Sequence, residues 1–303
     1  MQPSPHIQPS VVALGGGHGL SVALQAIREY AGEITAIVSV ADDGGSSGRL
    51  RRDLDVPAPG DLRRCLVALA RDEGPWPAAF EHRFRSGELA DHALGNLLLV
   101  GLAETLGDLT AALDEAGRLL GAVGRVLPAT LGPVSLTARV GDEAIAGQVA
   151  IARAGESARI REVQLEPADP PASPDALLAI ARADQIVLAP GSLFTSIVAV
   201  LGVPEIRAAI AAASGRVVQI ANLETENETT GHDGTDHLVA VRDHGGRVDQ
   251  FLYDPDHGLA VDPGVIVALG TEPVAAPIAA PVAGPDGIGH DVQQLAKALS
   301  ALL

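Results

Sequence analysis

Residues 42–48 read Asp-Asp-Gly-Gly-Ser-Ser-Gly and follow directly on the apolar run Ile34-Thr-Ala-Ile-Val-Ser-Val40. A packed core has no use for that composition at a strand end, whereas a polar ligand does. Gly44, Gly45 and Gly48 let the backbone approach a ligand closely, and Ser46 and Ser47 add hydroxyls to peptide N–H groups that can face phosphate oxygens. Asp42 and Asp43 can hold a ribose or a magnesium ion beside a nucleotide phosphate, or one of them can simply cap the turn. Arg49, Arg51 and Arg52 add fixed positive charge. A second cluster, Gly15, Gly16, Gly17, His18 and Gly19, stands between the strand candidate Val11–Leu14 and a run from Leu20 to Ile27 with helical apolar spacing. Strand, glycine turn and helix N-terminus make an anion site, although a tight turn needing left-handed glycines would read alike. The pattern G-x-G-x-x-G is not met, because Leu20 or Val22 stands where the third glycine belongs, so a standard NAD fingerprint is absent.

Two further strand ends carry similar residues. The apolar strand 185–189 ends in Pro190-Gly191-Ser192, which opens another helix, and the strand 216–221 ends at Asn222 ahead of a polar loop reaching Gly234. Ligands in open parallel sheets bind beyond the carboxyl ends of the strands, and four such ends bearing Gly, Ser, Asp or Asn favour a binding crevice over four unrelated turns.

These loops need an α/β frame. The spacing predicts strands at 10–14 and 34–40 joined by a helix in a right-handed crossover, then helices near 61–71, 77–86, 93–106 and 108–122. Residues 124–166 read as a small β-rich insertion, and the α/β pattern resumes with a helix at 174–183. The fold class is thus α/β, a Rossmann-like, mostly parallel sheet with helices on both faces. Residues 10–303 form one domain behind a disordered tail at 1–9, the Ala/Pro/Gly-rich segment 271–290 reads as linker or surface loop, and 291–303 as a helix that packs or contributes to a dimer contact.

Composition narrows the function. A net charge of −17 argues against nucleic acid or an anionic membrane as partner. Lys297 is the single lysine, which excludes a Walker-type loop and disfavours Schiff-base chemistry. The one cysteine, Cys65, excludes an internal disulfide and a thiolate zinc cluster, and its helical neighbours Leu62, Leu66 and Leu69 assign it to packing. No signal peptide or bilayer-spanning stretch is visible, so a soluble cytoplasmic protein is expected. His92 and His237 read as hydrogen-bonding or capping residues before acid–base groups, and Arg83 and Arg85 as a solvated helical face.

In order along the chain stand Gly15-Gly-Gly-His-Gly-Leu-Ser21, Ala41-Asp-Asp-Gly-Gly-Ser-Ser-Gly-Arg-Leu-Arg51, Pro59-Gly-Asp-Leu-Arg63, Gly95-Asn-Leu97, Gly124-Arg-Val-Leu-Pro128 and Pro190-Gly-Ser-Leu-Phe-Thr-Ser-Ile197. This series resembles the YvcK-type gluconeogenesis factors of the CofD-like superfamily, from about residue 10 to 270. The resemblance implies a cytoplasmic protein that binds UDP-sugars, notably UDP-N-acetylglucosamine, and supports cell shape and wall synthesis during growth on gluconeogenic carbon sources, with protein partners in that process. It also implies that residues 15–19 and 42–49 hold phosphates and ribose, and that Asp61, Arg63, Asn96, Arg125, Gly191, Ser192 and Asn222 complete the cleft. The related phospholactate transferases carry a different loop after the paired aspartates. The chain departs from the family pattern at His18, at Asp91-His-Ala-Leu-Gly-Asn96, and at Asn222-Leu-Glu-Thr-Glu-Asn-Glu-Thr-Thr230, whose added carboxylates disfavour a nearby pyrophosphate unless a cation intervenes. Two functional classes follow: a nucleotide-sugar-binding regulator without turnover, or a metal-dependent transferase acting on a nucleotide-linked donor.

Overall fold

A computed structural model describes residues 8–71, 74–282 and 287–303. The expected tail at 1–9 falls outside the described residues except for Gln8 and Pro9, as does part of the 271–290 segment, residues 283–286.

Seven parallel strands form the centre: β1 (Ser10–Gly15), β2 (Glu33–Val38), β3 (Arg125–Pro128), then, after an inserted sheet of β4 (Ser135–Val140), β5 (Glu143–Ala146) and β6 (Ile160–Glu166), β7 (Gln185–Leu188), β8 (Arg216–Ile220), β9 (Gln250–Tyr253) and β10 (Glu272–Ala275). The inserted sheet is antiparallel. Their spatial order is β10-β9-β8-β7-β1-β2-β3. The chain therefore winds outward from β1 to one edge through β2 and β3, then returns to the other side of β1 as β7. That reversal is the topological switch point of a Rossmann-like sheet, where the connections leave a crevice. Strands covered on both faces should be continuously apolar, and Val11, Val12, Ala13 and Leu14 are all at or below 1% exposure. Each such Val or Leu contributes roughly 1.5–3 kcal/mol by leaving water. Both sheet edges carry a proline, Pro128 in β3 and Pro273 in β10, which limits edge-to-edge pairing.

The helices are α1 (Gly17–Ile27), α2 (Gly45–Leu54), α3 (Gly60–Leu69), α4 (Pro75–Glu81), α5 (Leu94–Leu106) and α6 (Leu109–Leu119), then α7 (Gln148–Gly155) inside the insertion and α8 (Pro174–Arg182). A π-helical turn, Leu193–Val198, runs into α9 (Ala199–Leu201), followed by α10 (Pro204–Ala212), α11 (Gly234–Asp243), α12 (Pro263–Ala268) and α13 (Val292–Ser300). On α1 the buried residues are Leu20, Ala23, Leu24, Ala26 and Ile27, the stripe of a helix packed on one face. Pro75 and Pro77 lie in the first turn of α4, because proline fits a first helical turn whose N–H groups have no partner anyway. In α13, Leu295, Ala296 and Leu299 are buried within the chain itself.

Two boundaries differ from the sequence reading. Residues 125–128, assigned to the insertion, form the edge strand of the main sheet against β2. Residues 272–275, read as linker, form the opposite edge against β9. Two more strands, β11 (Ala279–Pro281) and β12 (Ile288–His290), pair antiparallel in the same segment. Among the described residues no single helix is long and apolar enough to cross a membrane.

Candidate functional site

Beyond the carboxyl ends of β1, β2 and β7 lies a cleft of about 270 Å³, whose lining includes Gly17, Asp42, Gly44, Gly45, Ser46, Ser47, Asp61, Arg63, Asn96 and Ser192. Its walls are largely helix N-termini. Gly44 precedes α2 and Gly16 precedes α1, and neither has a side chain to cap the helix. The first N–H groups of both helices therefore have no intrahelical partner and carry the positive end of the helix dipole. Close approach is enforced at Gly19, where a Cβ would lie 1.9 Å from the carbonyl oxygen of Pro190. No other residue allows α1 to start so near the β7 turn.

The floor is a buried polar chain. Arg63, 1% exposed, donates from Nε to Asn96 Oδ1 at 3.1 Å and faces Glu81 as an ion pair. Asn96 Nδ2 donates to Ser46 Oγ at 3.1 Å, and Ser46 Oγ lies 3.0 Å from His92 Nδ1. Ser47 Oγ accepts from the Gly60 amide at 3.1 Å, tying α2 to α3. His92 is buried, and burial together with the Arg49 guanidinium pushes its pKa below the ordinary imidazole value. At neutral pH it is therefore an uncharged partner for Ser46.

The paired aspartates divide their work. Asp42 faces the cleft, with Oδ1 accepting from the Gly44 amide at 2.9 Å. Asp43 is turned away, its two oxygens accepting at 3.0 Å from the Gln148 and Val149 amides at the start of α7. A metal site made of Asp42 and Asp43 is thus at odds with this geometry: both Asp43 oxygens already serve a helix N-terminus. The carboxylate that does share the cleft with Asp42 is Asp61. Burial and the Asp42 charge raise its pKa, opposed by Arg64, which donates to Asp61 Oδ1 at 3.2 Å, and by the Gly17 amide. Among the described residues no three His, Cys, Asp or Glu side chains gather as a metal cage. Two carboxylates on one wall suit magnesium, which commonly takes one or two carboxylates and completes its shell with water and phosphate oxygens.

A neighbouring hollow of about 460 Å³ continues the crevice, and its lining includes His18, Gly19, Gly191, Asn222 and His290. Asn222 exchanges hydrogen bonds with Gly191, accepting from its amide at 2.8 Å and donating to its carbonyl at 2.9 Å, so it ties β8 to the β7 turn. The third glycine turn carries its own anion. Glu228 Oε1 accepts from the Phe194 amide at 2.8 Å, Oε2 accepts from Thr195 Oγ1 at 2.7 Å, and Ser192 Oγ donates to Glu226 at 2.9 Å. Of the added carboxylates of 222–230, Glu226 and Glu228 thus bind the protein's own donors, while Glu224 joins Glu226 in the lining of the hollow.

Two other expected residues lie elsewhere. Arg125 starts β3, at the end of the sheet away from the cleft, and pairs with Asp114 at 2.7 Å and Asp175 at 3.0 Å. Arg49 donates to the Ala90 carbonyl at 2.6 Å and is absent from the cleft lining; it braces the segment carrying His92. Gly15 and Gly16 are buried beneath the turn, and a Cβ on Gly16 would lie 2.6 Å from Asp61 Oδ2. Five lining residues escaped the sequence reading: Gly60, Arg64, Arg83, Gln148 and Ser196. Arg64 sits three residues after Asp61 on one helix, a spacing that could have revealed it. Arg83 lies beyond the end of α4, bridged to Ala93, and so is not on a helical face.

The sequence profile of the family described as 2-phospho-L-lactate transferase CofD matches residues 11–272. A Mycobacterium tuberculosis protein is 49% identical over 261 residues, covering 81% of this chain and 76% of its own. The protein named gluconeogenesis factor in Halalkalibacterium halodurans is 45% identical over 240 residues, covering 78% of this chain and 74% of its own. A crystal structure of a Bacillus halodurans protein superposes with a TM-score of 0.91 at 38% identity, covering 97% of this chain and 99% of that one.

Proposed function

Since the chain belongs to the CofD family and several of its relatives are named gluconeogenesis factor, we propose that it is a regulatory protein that binds a UDP-sugar, UDP-N-acetylglucosamine foremost, in the cleft at the switch point. The observation carrying this reading is the convergence of two helix N-termini whose N-cap residues are glycines without a capping side chain, α1 and α2, over the buried Arg63–Asn96–Ser46 chain. In this proposal the pyrophosphate rests on the amides of Gly45, Ser46 and Ser47 with Arg63 beneath it, and the hollow at His18, Gly191 and Asn222 takes the remainder of the ligand. Magnesium, held between Asp42 and Asp61, screens their charge from the phosphates. The bound state then informs protein partners that govern cell shape and wall synthesis on gluconeogenic carbon sources, in the cytoplasm.

The mutual placement of Asp42 and Asp61 also favours a second reading, a transferase of phosphorus-containing groups acting on a nucleotide-linked donor. Arg63 and the α2 amides would stabilise charge on the transferred group, and the carboxylate-held ion would bridge it. Calorimetric titration with UDP-N-acetylglucosamine, with and without magnesium, followed by chromatography of the recovered ligand, separates the two. Saturable binding with intact ligand supports the regulator. Consumption of the donor supports the transferase, and absence of binding to any UDP-sugar contradicts the first reading.

A further inference from the structure

We propose that the groove between the inserted sheet and the α10–α11 flank is a second anion site, shaped for a phosphorylated sugar or polyol and separate from the nucleotide cleft. Its main cavity, about 710 Å³, is lined by Arg139 and Arg161 from the insertion, by Arg207 from α10, and by Asp243 and His244 among others. It continues into a hollow of about 390 Å³ through the shared residues Arg161, Asp243 and His244. Neither cavity shares a lining residue with the cleft at the switch point. The volume is in the range that holds a small ligand.

Three features make this more than a scatter of surface arginines. Between Arg139 and Val140 the β4–β6 register slips, so Arg139 faces Glu162 and Val140 faces Ile160, leaving Arg161 as the additional residue. Arg161 and Glu162 are consequently exposed in succession where a regular strand would alternate. A bulge of this kind re-aims a side chain, here into the groove beside Arg139. Arg207 is fixed from the other wall: it donates from one guanidinium nitrogen to the Leu201 carbonyl at 2.9 Å, and its stem lies over Gly245, where a Cβ would come within 2.9 Å of Arg207 Cδ. Gly245 has φ +77, so both backbone and packing call for glycine there.

In a chain of net charge −17, none of Arg139, Arg161 and Arg207 has a carboxylate at ion-pair distance among the described residues. Arg159, on the adjoining hollow, is paired with Asp236, and Glu162 accepts from the Gln164 side chain at 2.6 Å. His244 accepts from the Val163 amide at Nε2 and bonds the Ala240 carbonyl through Nδ1, which requires the neutral ring and adds no charge. Three guanidinium groups without a carboxylate partner among the described residues, facing one space, match the oxygens of a phosphate. Asp243 would repel a bare anion but accepts hydrogen bonds from hydroxyls, which selects a ligand with a phosphate at one end and hydroxyls at the other.

The test is calorimetric titration of the full chain with glucose 6-phosphate and, separately, inorganic phosphate. Wild type should bind glucose 6-phosphate saturably and inorganic phosphate more weakly. The double variant Arg139→Ala, Arg161→Ala should lose at least tenfold in affinity, while Arg182→Ala should change nothing. If the double variant melts early, Arg161→Ala alone serves, with a several-fold loss expected. Binding of UDP-sugar should be unaffected in these variants, so the two sites fail or stand independently. No saturable binding of either probe, or unchanged affinity in the variants, overturns the proposal; inorganic phosphate binding as tightly as the sugar phosphate overturns its polyol half.

Discussion

Replacing Glu228 by Gln should remove a pH dependence of stability that this one buried carboxyl imposes. Glu228 is 2% exposed and caps the π-helical turn after β7 through the Phe194 amide and the Thr195 hydroxyl. Burial pushes its pKa from 4.5 up to about 7, against the lowering effect of those hydrogen bonds. With the native pKa raised, the unfolded chain ionises first, so the stabilisation is complete below pH 4.5 and is lost as pH rises to about 7. At about 1.4 kcal/mol per pH unit, that window amounts to roughly 3 kcal/mol. Glutamine keeps an oxygen for the Phe194 amide, and its NH₂ can donate to the Thr195 hydroxyl, so the cap survives without the ionisation. Other groups titrate nearby: Asp61 and Glu226 are raised like Glu228, whereas His237, lowered to about 4 by burial, acts with opposite sign. Asp61 and His237 cancel in the difference between variant and wild type, whereas Glu226, whose charge helps to raise the Glu228 pKa, titrates with Glu228 and is part of the difference. Urea unfolding of both proteins at pH 5, 6, 7 and 8 should show the variant gaining on wild type between pH 5 and 7 and levelling above it. Parallel pH profiles would refute the assignment of a buried, half-ionised carboxyl to this turn.

Arg49→Ala should lower stability by about 1 kcal/mol, the loss of a charged donor to the half-buried Ala90 carbonyl, and should leave nucleotide affinity unchanged; melting curves and titration read the two separately. Arg125→Ala should leave nucleotide affinity unaltered and cost no more than about 1 kcal/mol, since its ion pairs are half-exposed. Asp61→Asn should abolish the magnesium dependence of UDP-sugar binding while Asp43→Asn keeps it, a contrast that titration with and without the ion would show.

Much of the frame could be read from the residues. The apolar runs at 10–14 and 34–40 and the glycines behind them are local signals, and the structure sets both loops at one switch point. Short edge strands were not readable in the same way. β3 and β10 have four residues each and include a proline, and pairing with β2 and β9 alone decides their place. Side-chain allegiance was harder still. Asp42 and Asp43 are identical neighbours, and what separates them is a helix that begins more than a hundred residues later at Gln148. Likewise Arg49 and Arg63 look equivalent in a list of basic residues, yet one braces a carbonyl and the other forms the buried floor. The acidic stretch 222–230 was legible as unusual but not as self-capping, since its partners lie on the β7 turn some thirty residues earlier.

The most direct test is a crystal structure of the protein grown with UDP-N-acetylglucosamine and magnesium. The diphosphate should lie on the amides of Gly45, Ser46 and Ser47, within hydrogen-bond reach of Arg63, and the ion between Asp42 and Asp61. A diphosphate bound instead between Arg139 and Arg161, or a cleft at the switch point that stays free of nucleotide under saturating ligand, would contradict it.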